Sequence, residues 1–192
     1  MNIRIASEES SSIDEYASIP IAFEVASVLD VTQASSNDTA TGLVERSLEH
    51  PYTKDYDQLR GDSPLEWANR FDIDQCHFLV AFVVENRVGG AALIMDLPDV
   101  EMLEGRKDLA LLWDIRVTPA FRSSGVGSAL LGAAETWATS RGAAELKVET
   151  QNINVSACRF YESHGFELRH VNAGVYERLP NEVQLLWYKS LY

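Results

Sequence analysis

Apolar and polar positions along this chain follow two periods, and the switches between them mark its elements. Leu111-Leu-Trp-Asp-Ile-Arg-Val117 is a strand-like apolar run that ends at Thr118-Pro119. Ser128-Ala-Leu-Leu-Gly-Ala-Ala-Glu-Thr-Trp-Ala138 takes up the helical period, and Leu146 to Thr150 returns to a strand. A polar loop, a short helix from Val155 and a stop at Gly165 follow, with another strand starting at Phe166. Upstream, Asn2 to Ala6 is a short strand, and an acidic helix start runs to Tyr16 with Ser10, Ser11 or Ser12 as its cap. Ile19 to Val31 mixes β-branched and apolar residues. Residues 32–42 form a loop, Leu43 to Leu48 a strand, and 50–57 a second loop. Pro64 to Phe71 is a helix with proline near its first turn. Cys76 to Glu85 and Arg87 to Asp96 form a hairpin, and His170 to Arg178 and Glu182 to Tyr192 are the last two strands. Parallel strands need a crossover, and the segment from Gly127 to about Ser140 supplies one between the runs at Leu111 and Leu146. No repeat or linker interrupts this order. At 192 residues the chain can bury a full core, so a single α/β (α+β) domain over residues 1–192 is expected.

The stretch joining the Leu111 strand to its helix is Arg122-Ser-Ser-Gly-Val-Gly127. A glycine-bearing loop that opens a helix is an anion cradle. The first-turn N–H groups have no intrahelical partners, and the helix dipole favours negative charge there. Gly125 and Gly127 let the backbone approach a ligand, and Arg122 adds a permanent positive charge at the rim. A bound pyrophosphate is the expected occupant. The spacing differs from the Walker pattern, and Leu130 stands where a dinucleotide fingerprint needs its third glycine. Taken alone, R-x-x-G-x-G is a weak signal.

The downstream sequence strengthens it. Leu146-Lys-Val-Glu-Thr-Gln-Asn-Ile-Asn154 leads into Val155-Ser-Ala-Cys-Arg-Phe-Tyr161 and Glu162-Ser-His-Gly-Phe166. R-x-x-G-x-G followed about thirty residues later by N-x-x-A-x-x-F-Y-E-x-x-G-F resembles the GNAT superfamily of acetyl-CoA-dependent N-acetyltransferases. The resemblance implies a GNAT-like mixed, splayed central sheet flanked by helices, with the pantetheine arm of acetyl-CoA in the splay. Backbone groups of Ile115, Arg116 and Val117 would meet that arm as an added strand would. Arg122, Ser123, Ser124, Gly125, Val126, Gly127 and Ser128 would hold the pyrophosphate. Asn154 and Ala157 of the second motif would also contact the cofactor. Tyr161 matches the tyrosine that protonates the departing CoA thiolate in the family; the alternative is a core tyrosine in a Phe-Tyr pair.

Within that superfamily the chain looks like the streptothricin acetyltransferases. The likeness rests on Trp113-Asp-Ile-Arg-Val117, on Val148-Glu-Thr-Gln-Asn-Ile-Asn-Val-Ser-Ala-Cys-Arg-Phe-Tyr-Glu162, on Ala22-Phe-Glu-Val25 and on Asn181-Glu-Val-Gln-Leu-Leu-Trp-Tyr188. It departs at Asp96 to Asp108, an acidic, proline-containing insertion.

Composition narrows the setting. Twenty-nine acidic residues against sixteen Lys and Arg give a formal net charge of −13. Such a surface repels nucleic acid and attracts cations, so a small cationic amine is the expected substrate and nucleic acid is not a partner; ordinary solubility explains the charge equally well. Cys76 and Cys158 lie far apart without metal-like spacing, so no disulfide framework and no metal site are expected. Met1-Asn-Ile-Arg-Ile-Ala-Ser-Glu-Glu9 does not resemble a signal peptide and no apolar run has membrane-spanning length, so a cytoplasmic location without membrane contact is expected.

Acetylating an amine requires the amine's free base, a positioned thioester and a proton for the leaving thiolate. Asp114 and Glu149 are the candidate carboxylates for holding and deprotonating an ammonium. The alternatives are a structural hydrogen bond for Asp114, and a pairing of Glu149 with Lys147 or a loop N–H. His164 in a helix-ending turn and His170 are weaker bases on this reading. Glu24, Trp113 and Tyr176 are acceptor-pocket candidates: an anion, a ring able to stack over a cation, and an aromatic. For Trp113 and Tyr176 the core reading stays open. Two other functions remain, a protein or peptide amine acetyltransferase and a non-catalytic acetyl-CoA sensor. Exposed carboxy-terminal strands could pair across a homodimer.

Overall fold

The computed structural model describes residues 1–33, 41–59 and 61–192, and its chain divides into two compact units. The first comprises Met1–Phe23, Asp55–Lys147 and Ser190–Tyr192; the second comprises Glu24–Lys54 and Val148–Lys189.

The first unit is built on strands β1 (Ile3–Glu8), β4 (His77–Val83), β5 (Asn86–Met95) and β6 (Leu109–Val117), in the order β1-β4-β5-β6. The antiparallel register runs Ile3 opposite Val83, Leu79 opposite Ala91, and Ile115 opposite Ala91 on the other edge of β5. After β6, helix α2 (Val126–Ser140) crosses over to β7 (Glu145–Gln151), which starts in this unit and is the next strand in the order. The crossover is the connection expected from Gly127 to about Ser140. Helix α2 buries Val126, Leu130, Leu131, Ala134 and Ala138, the 3- and 4-residue spacings of one helical face. The short helix α1 (Ile13–Ala17) places Tyr16 in a core with Trp67, Phe78, Val80, Ile94 and Leu111.

Two adjacent glycines of β5 make room on both faces. A Cβ on Gly90 would lie 2.5 Å from Tyr16 Cε2, and one on Gly89 would lie 3.0 Å from Val126 Cγ1 of α2. Tyr16 therefore packs directly on the β5 backbone, which no larger residue at 90 would permit.

The segment after β5 is part of this core. Leu97, Val100 and Leu103 are buried, and Lys147 Nζ donates to Met102 O at 2.9 Å and to Glu104 Oε1 at 2.6 Å. The acidic residues of the Asp96–Asp108 insertion face outward while its apolar ones anchor it.

The second unit contains β2 (Phe23–Gln33, assigned to this unit from Glu24) and β3 (Thr41–Lys54), which form a two-stranded sheet. It also holds the end of β7, helix α3 (Val155–Ser163), β8 (Glu167–Ala173) and β9 (Val183–Ser190), in the order β7-β9-β8. Asn152 ties these parts together. Its backbone N–H donates to Val183 O at 3.0 Å, its Nδ2 donates to Leu29 O at 3.0 Å, and its Oδ1 accepts from Val183 N at 2.8 Å.

Several expectations change in detail. The strand expected at Leu43–Leu48 runs on to Lys54 through Pro51, which a strand with an open edge tolerates. Residues 64–69 form a 3-10 helix, Pro64–Asn69. The strand expected to start at Phe166 begins at Glu167, and it stops at Ala173, where Gly174 turns with φ +76°, short of the Arg178 end expected for the strand from His170. Ser10–Ser12 form a 3-10 turn that caps α1 without a side-chain bond. Of the loop expected at 32–42, residues 34–40 lie outside the described residues. Among the described residues no helix is long and apolar enough to cross a membrane.

Candidate active site

The loop between β6 and α2 is a tight anion cradle within the first unit. Ser123 and Gly125 both take left-handed conformations, with φ of 56° and 91°. Ser124 Oγ donates to Phe121 O at 2.5 Å. At Gly125 the positive φ calls for glycine, and a Cβ there would approach no atom closer than Ile3 Cδ1 at 3.9 Å, so this face of the loop is open. Helix α2 starts at once from Gly125, with no side-chain cap and no acidic residue in its first turn. Its N-terminal dipole is therefore not met by an acidic side chain of its own first turn. These features fit a pyrophosphate, as the sequence implied for residues 122–128.

The Arg122 side chain also bonds within the chain. Its Nε donates to Val117 O at 3.0 Å, and its Nη2 donates to Ala22 O at 2.7 Å and to Ile21 O at 3.4 Å. The guanidinium thus ties the end of β6 to the segment before β2 and braces the loop from outside. Partial burial lowers its pKa from the usual arginine value.

Strand β6 carries a bulge. Ala92 pairs with Asp114 and Leu93 with Leu112, which leaves Trp113 without an opposite residue. Trp113 packs edge-on against Phe71 and Trp67, with ring centroids 4.8 and 6.3 Å away. The cation above its ring is the chain's own Arg70, 4.7 Å from the centroid. Trp113 therefore takes the core reading, and the cation foreseen for it comes from within the chain.

Asp114, the next residue, is buried. Its Oδ2 accepts from Arg116 Nε at 2.8 Å and from Tyr16 Oη at 3.2 Å. Arg116 continues to Asp57 with two bonds of 3.0 and 3.1 Å, and to Ile19 O at 3.1 Å. Burial and the Asp114 charge hold the Tyr16 phenol well above its usual pKa. For Arg116, burial is outweighed by Asp114, Tyr16 and Asp57, and its pKa rises. Asp114 thus has a full cationic partner. The sequence carries no local signal for this network, because Tyr16 and Asp114 stand 98 positions apart.

The second unit holds Glu149, Tyr176, Asn154 and Tyr161. Glu149 on β7 is half-buried. Its Oε1 accepts from Tyr176 Oη at 2.5 Å and its Oε2 from Gln184 Nε2 at 2.7 Å. Lys147, the alternative partner, bonds instead to Met102 O and Glu104. Among the described residues Glu149 has no ion pair. Two separately chosen candidates, a carboxylate and a tyrosine, are therefore in direct contact. Glu24 is exposed on β2 and has no ion pair among the described residues. Asp114 and Glu149 fall in different units.

Asn154 caps α3. Its Oδ1 accepts from Ala157 N at 3.1 Å and from Ser156 Oγ at 3.1 Å. The spacing N-x-x-A is that of an N-cap with its N3 residue, a local signal that the motif reading passed over. Tyr161 is 3 % exposed in the last turn of α3, with its ring 5.3 Å from that of Phe166. Phe166 N donates to Tyr161 O across Gly165, whose φ is +82°, so a glycine C-cap fixes both the helix end and the aromatic contact. His164 ends the helix, with Nδ1 2.7 Å from Phe160 O.

Burial pushes the Cys76 thiol up to about 12 and the Cys158 thiol up to about 11. Neither thiolate is accessible near neutral pH. Among the described residues no cluster of His, Cys, Asp or Glu is arranged to hold a metal ion.

An uncapped helix start behind a glycine turn, next to a bulged strand, forms a frame for an anion. The sequence profile of the acetyltransferase (GNAT) family matches residues 41–166, and the chain belongs to that family. The family's cofactor is acetyl-CoA. Among its relatives, streptothricin acetyltransferase A of Bacillus subtilis (strain 168) is 43% identical over 81 residues, covering 41% of this chain and 47% of that enzyme. The chain thus matches about half the length of that relative. The streptothricin acetyltransferase of Escherichia coli is 32% identical over 164 residues, 84% of this chain and 83% of that enzyme. Among solved structures, one assigned to a streptothricin acetyltransferase from Bacillus anthracis str. Ames, in complex with acetyl coenzyme A, superposes with a TM-score of 0.77 at 25% identity, covering 99% of both chains. Nourseothricin acetyltransferase shares the fold, with a TM-score of 0.77 at 22% identity and full coverage of both chains.

Proposed function

We propose that this chain is an N-acetyltransferase that moves the acetyl group of acetyl-CoA to a primary amine of a small cationic substrate of the streptothricin type. The observation that carries the reading is the start of α2: an uncapped helix N-terminus behind Gly125, open on the side where a Cβ would stand. Backbone N–H groups from Gly125 to Ser128 hold the pyrophosphate, and those of Ile115 to Val117 receive the pantetheine arm. Acetyl-CoA, when bound, supplies an activated thioester.

The chain's own residues do the rest. Glu149 takes the acceptor's ammonium and its proton, directly or through water, because its two oxygens are held by neutral donors and, among the described residues, no lysine or arginine pairs with it. Asp114 serves the fold, because Arg116 already neutralises it. Tyr161 delivers the proton to the thiolate sulfur as it departs. Glu24, exposed on β2, adds a second anion for a polycationic acceptor, in keeping with a net charge of −13. Both cysteine thiols are too weakly acidic to carry the acetyl group, which favours direct attack by the amine. The relatives' names support streptothricin as the first acceptor to test.

The test is acetyl-CoA-dependent thiol release with streptothricin, an aminoglycoside, spermidine and a lysine peptide, run with wild type and Tyr161→Phe. Turnover of streptothricin, reduced about 10²-fold in the variant, is the expected result. Turnover of the peptide alone would replace the small-molecule reading. Absence of acetyl-CoA binding would remove it.

A further inference from the structure

Glu149 sits at the meeting point of two hydrogen-bond arms that both donate toward it. On one arm, Asn172 Nδ2 donates to Gln184 Oε1 at 2.9 Å, and Gln184 Nε2 donates to Glu149 Oε2 at 2.7 Å. On the other, Gln151 Nε2 donates to Tyr176 Oη at 3.1 Å, and Tyr176 Oη donates to Glu149 Oε1 at 2.5 Å. The direction of each arm is set at its far end. Asn172 and Gln184 are a directly opposed pair across β8 and β9. With the Gln184 carbonyl taken by Asn172, only the Gln184 amide is left to turn toward Glu149. Likewise a donor from Gln151 occupies the Tyr176 oxygen and leaves its O–H to point at the carboxylate.

Resting on the proposed role of Glu149, we infer that Asn172 and Gln184 are positioning residues, which aim the Glu149 carboxylate at the ammonium of the acceptor. A carboxylate offers about four lone-pair sites, so two donors fix its plane and leave two sites for a cation. Neutral donors suit this task. A lysine or arginine here would fix the carboxylate equally well but cancel the charge that attracts the amine, as Arg116 does for Asp114. Neither Asn172 nor Gln184 needs to touch the substrate. Their contribution is geometric, and misplacing a reacting group by a small distance costs rate even when the fold is intact.

Asn172 acts on the base from two hydrogen bonds away. Asn172→Asp replaces a donor with an acceptor of nearly the same shape. The Gln184 amide must then turn to donate to the new carboxylate, which points the Gln184 carbonyl oxygen at Glu149. Gln184→Glu places an acceptor against Glu149 directly. Asn172→Ala frees Gln184 without reversing it.

The experiment is steady-state kinetics of thiol release, with whichever of streptothricin, spermidine and the lysine peptide is turned over. It compares wild type, Glu149→Gln, Gln184→Glu, Asn172→Asp and Asn172→Ala, with melting temperature recorded for each. The expected result is that Gln184→Glu and Asn172→Asp each lower kcat/KM for the amine about tenfold, the worth of one hydrogen bond to a charged group. KM for acetyl-CoA stays unchanged, and Asn172→Ala falls between Asn172→Asp and wild type. Loss of turnover in Glu149→Gln with wild-type kinetics in the Gln184 and Asn172 variants would overturn the positioning inference alone. An unimpaired Glu149→Gln, or no turnover of any amine by wild type, would overturn the reading on which it rests. If Gln184→Glu fails to fold, Asn172→Asp and Asn172→Ala decide the matter, because a merely structural Asn172 gives both the same kinetics.

Discussion

The two carboxylates on β6 and β7 are surrounded in opposite ways. Asp114, in the first unit, is buried against Arg116 and Tyr16, and Arg116 goes on to Asp57 and to a backbone carbonyl. Glu149, in the second, is half-buried and accepts from neutral donors, Tyr176 and Gln184, with no ion pair among the described residues. A buried charge needs a counter-charge, and once it has one it has little left to offer a substrate. A partly exposed charge held by amides and a phenol keeps its field and loses its freedom to rotate. On the proposed reading the first arrangement serves the fold, and the second serves an incoming cation.

The largest effect expected from this contrast is catalytic. Glu149→Gln keeps the shape and removes the charge, and kcat/KM for the amine should fall about 10²- to 10⁴-fold with no matching loss of stability. The counterpart on the Asp114 side is thermodynamic. Arg116→Met leaves Asp114 buried without its ion partner, which costs about 3–5 kcal/mol, on the order of 10 °C in melting temperature by calorimetry. Turnover per folded molecule should change far less.

A smaller effect is expected at Gly90, which gives Tyr16 its seat on β5. Gly90→Ala forces the ring away from a Cβ that would lie 2.5 Å from it. Overpacking of this kind costs about 1–3 kcal/mol, measurable by denaturant titration. Gly132→Ala in α2, where a Cβ meets nothing within 4 Å, is the matched control and should be neutral or stabilising.

Thiol chemistry separates direct attack from an acyl-cysteine route. With Cys76 and Cys158 pushed up to about 12 and about 11, alkylation of the native protein by iodoacetamide at pH 8 should be slow, and turnover should survive it. Rapid inactivation would argue for a nucleophilic thiol.

The smallest effect concerns His77 on β4, whose pKa is lowered, first by burial and then by Arg141. The unfolded chain therefore binds the proton more readily than the folded one, so stability is retained above about pH 6.5 and declines as pH falls below it. His77→Gln should flatten that part of the stability–pH curve.

The stretch from β6 to β7 was legible in the sequence because its signals are local. Strand, glycine turn and helix follow one another from Leu111 to Ala138, and the crossover to β7 follows from their order. Asn154 through Phe166 also reads locally, though as a helix with an N-cap and a glycine C-cap rather than as cofactor contacts alone. The surroundings of Glu149 and Asp114 were legible only in fragments. Glu149 and Tyr176 were picked out separately, and nothing in their spacing tells that the phenol donates to the carboxylate. Arg116, Asp57 and Tyr16 converge on Asp114 from distant parts of the chain. Trp113 illustrates a further limit: its type suggested a cation partner, and only the fold supplies Arg70.

The most direct test of the account is the kinetic comparison of Asp114→Asn with Glu149→Gln under saturating acetyl-CoA, each corrected for the folded fraction. Glu149→Gln is expected to lose amine turnover while remaining folded, and Asp114→Asn to lose stability while its folded fraction still turns over the amine. A folded Glu149→Gln with wild-type turnover, beside a folded and inactive Asp114→Asn, would contradict it.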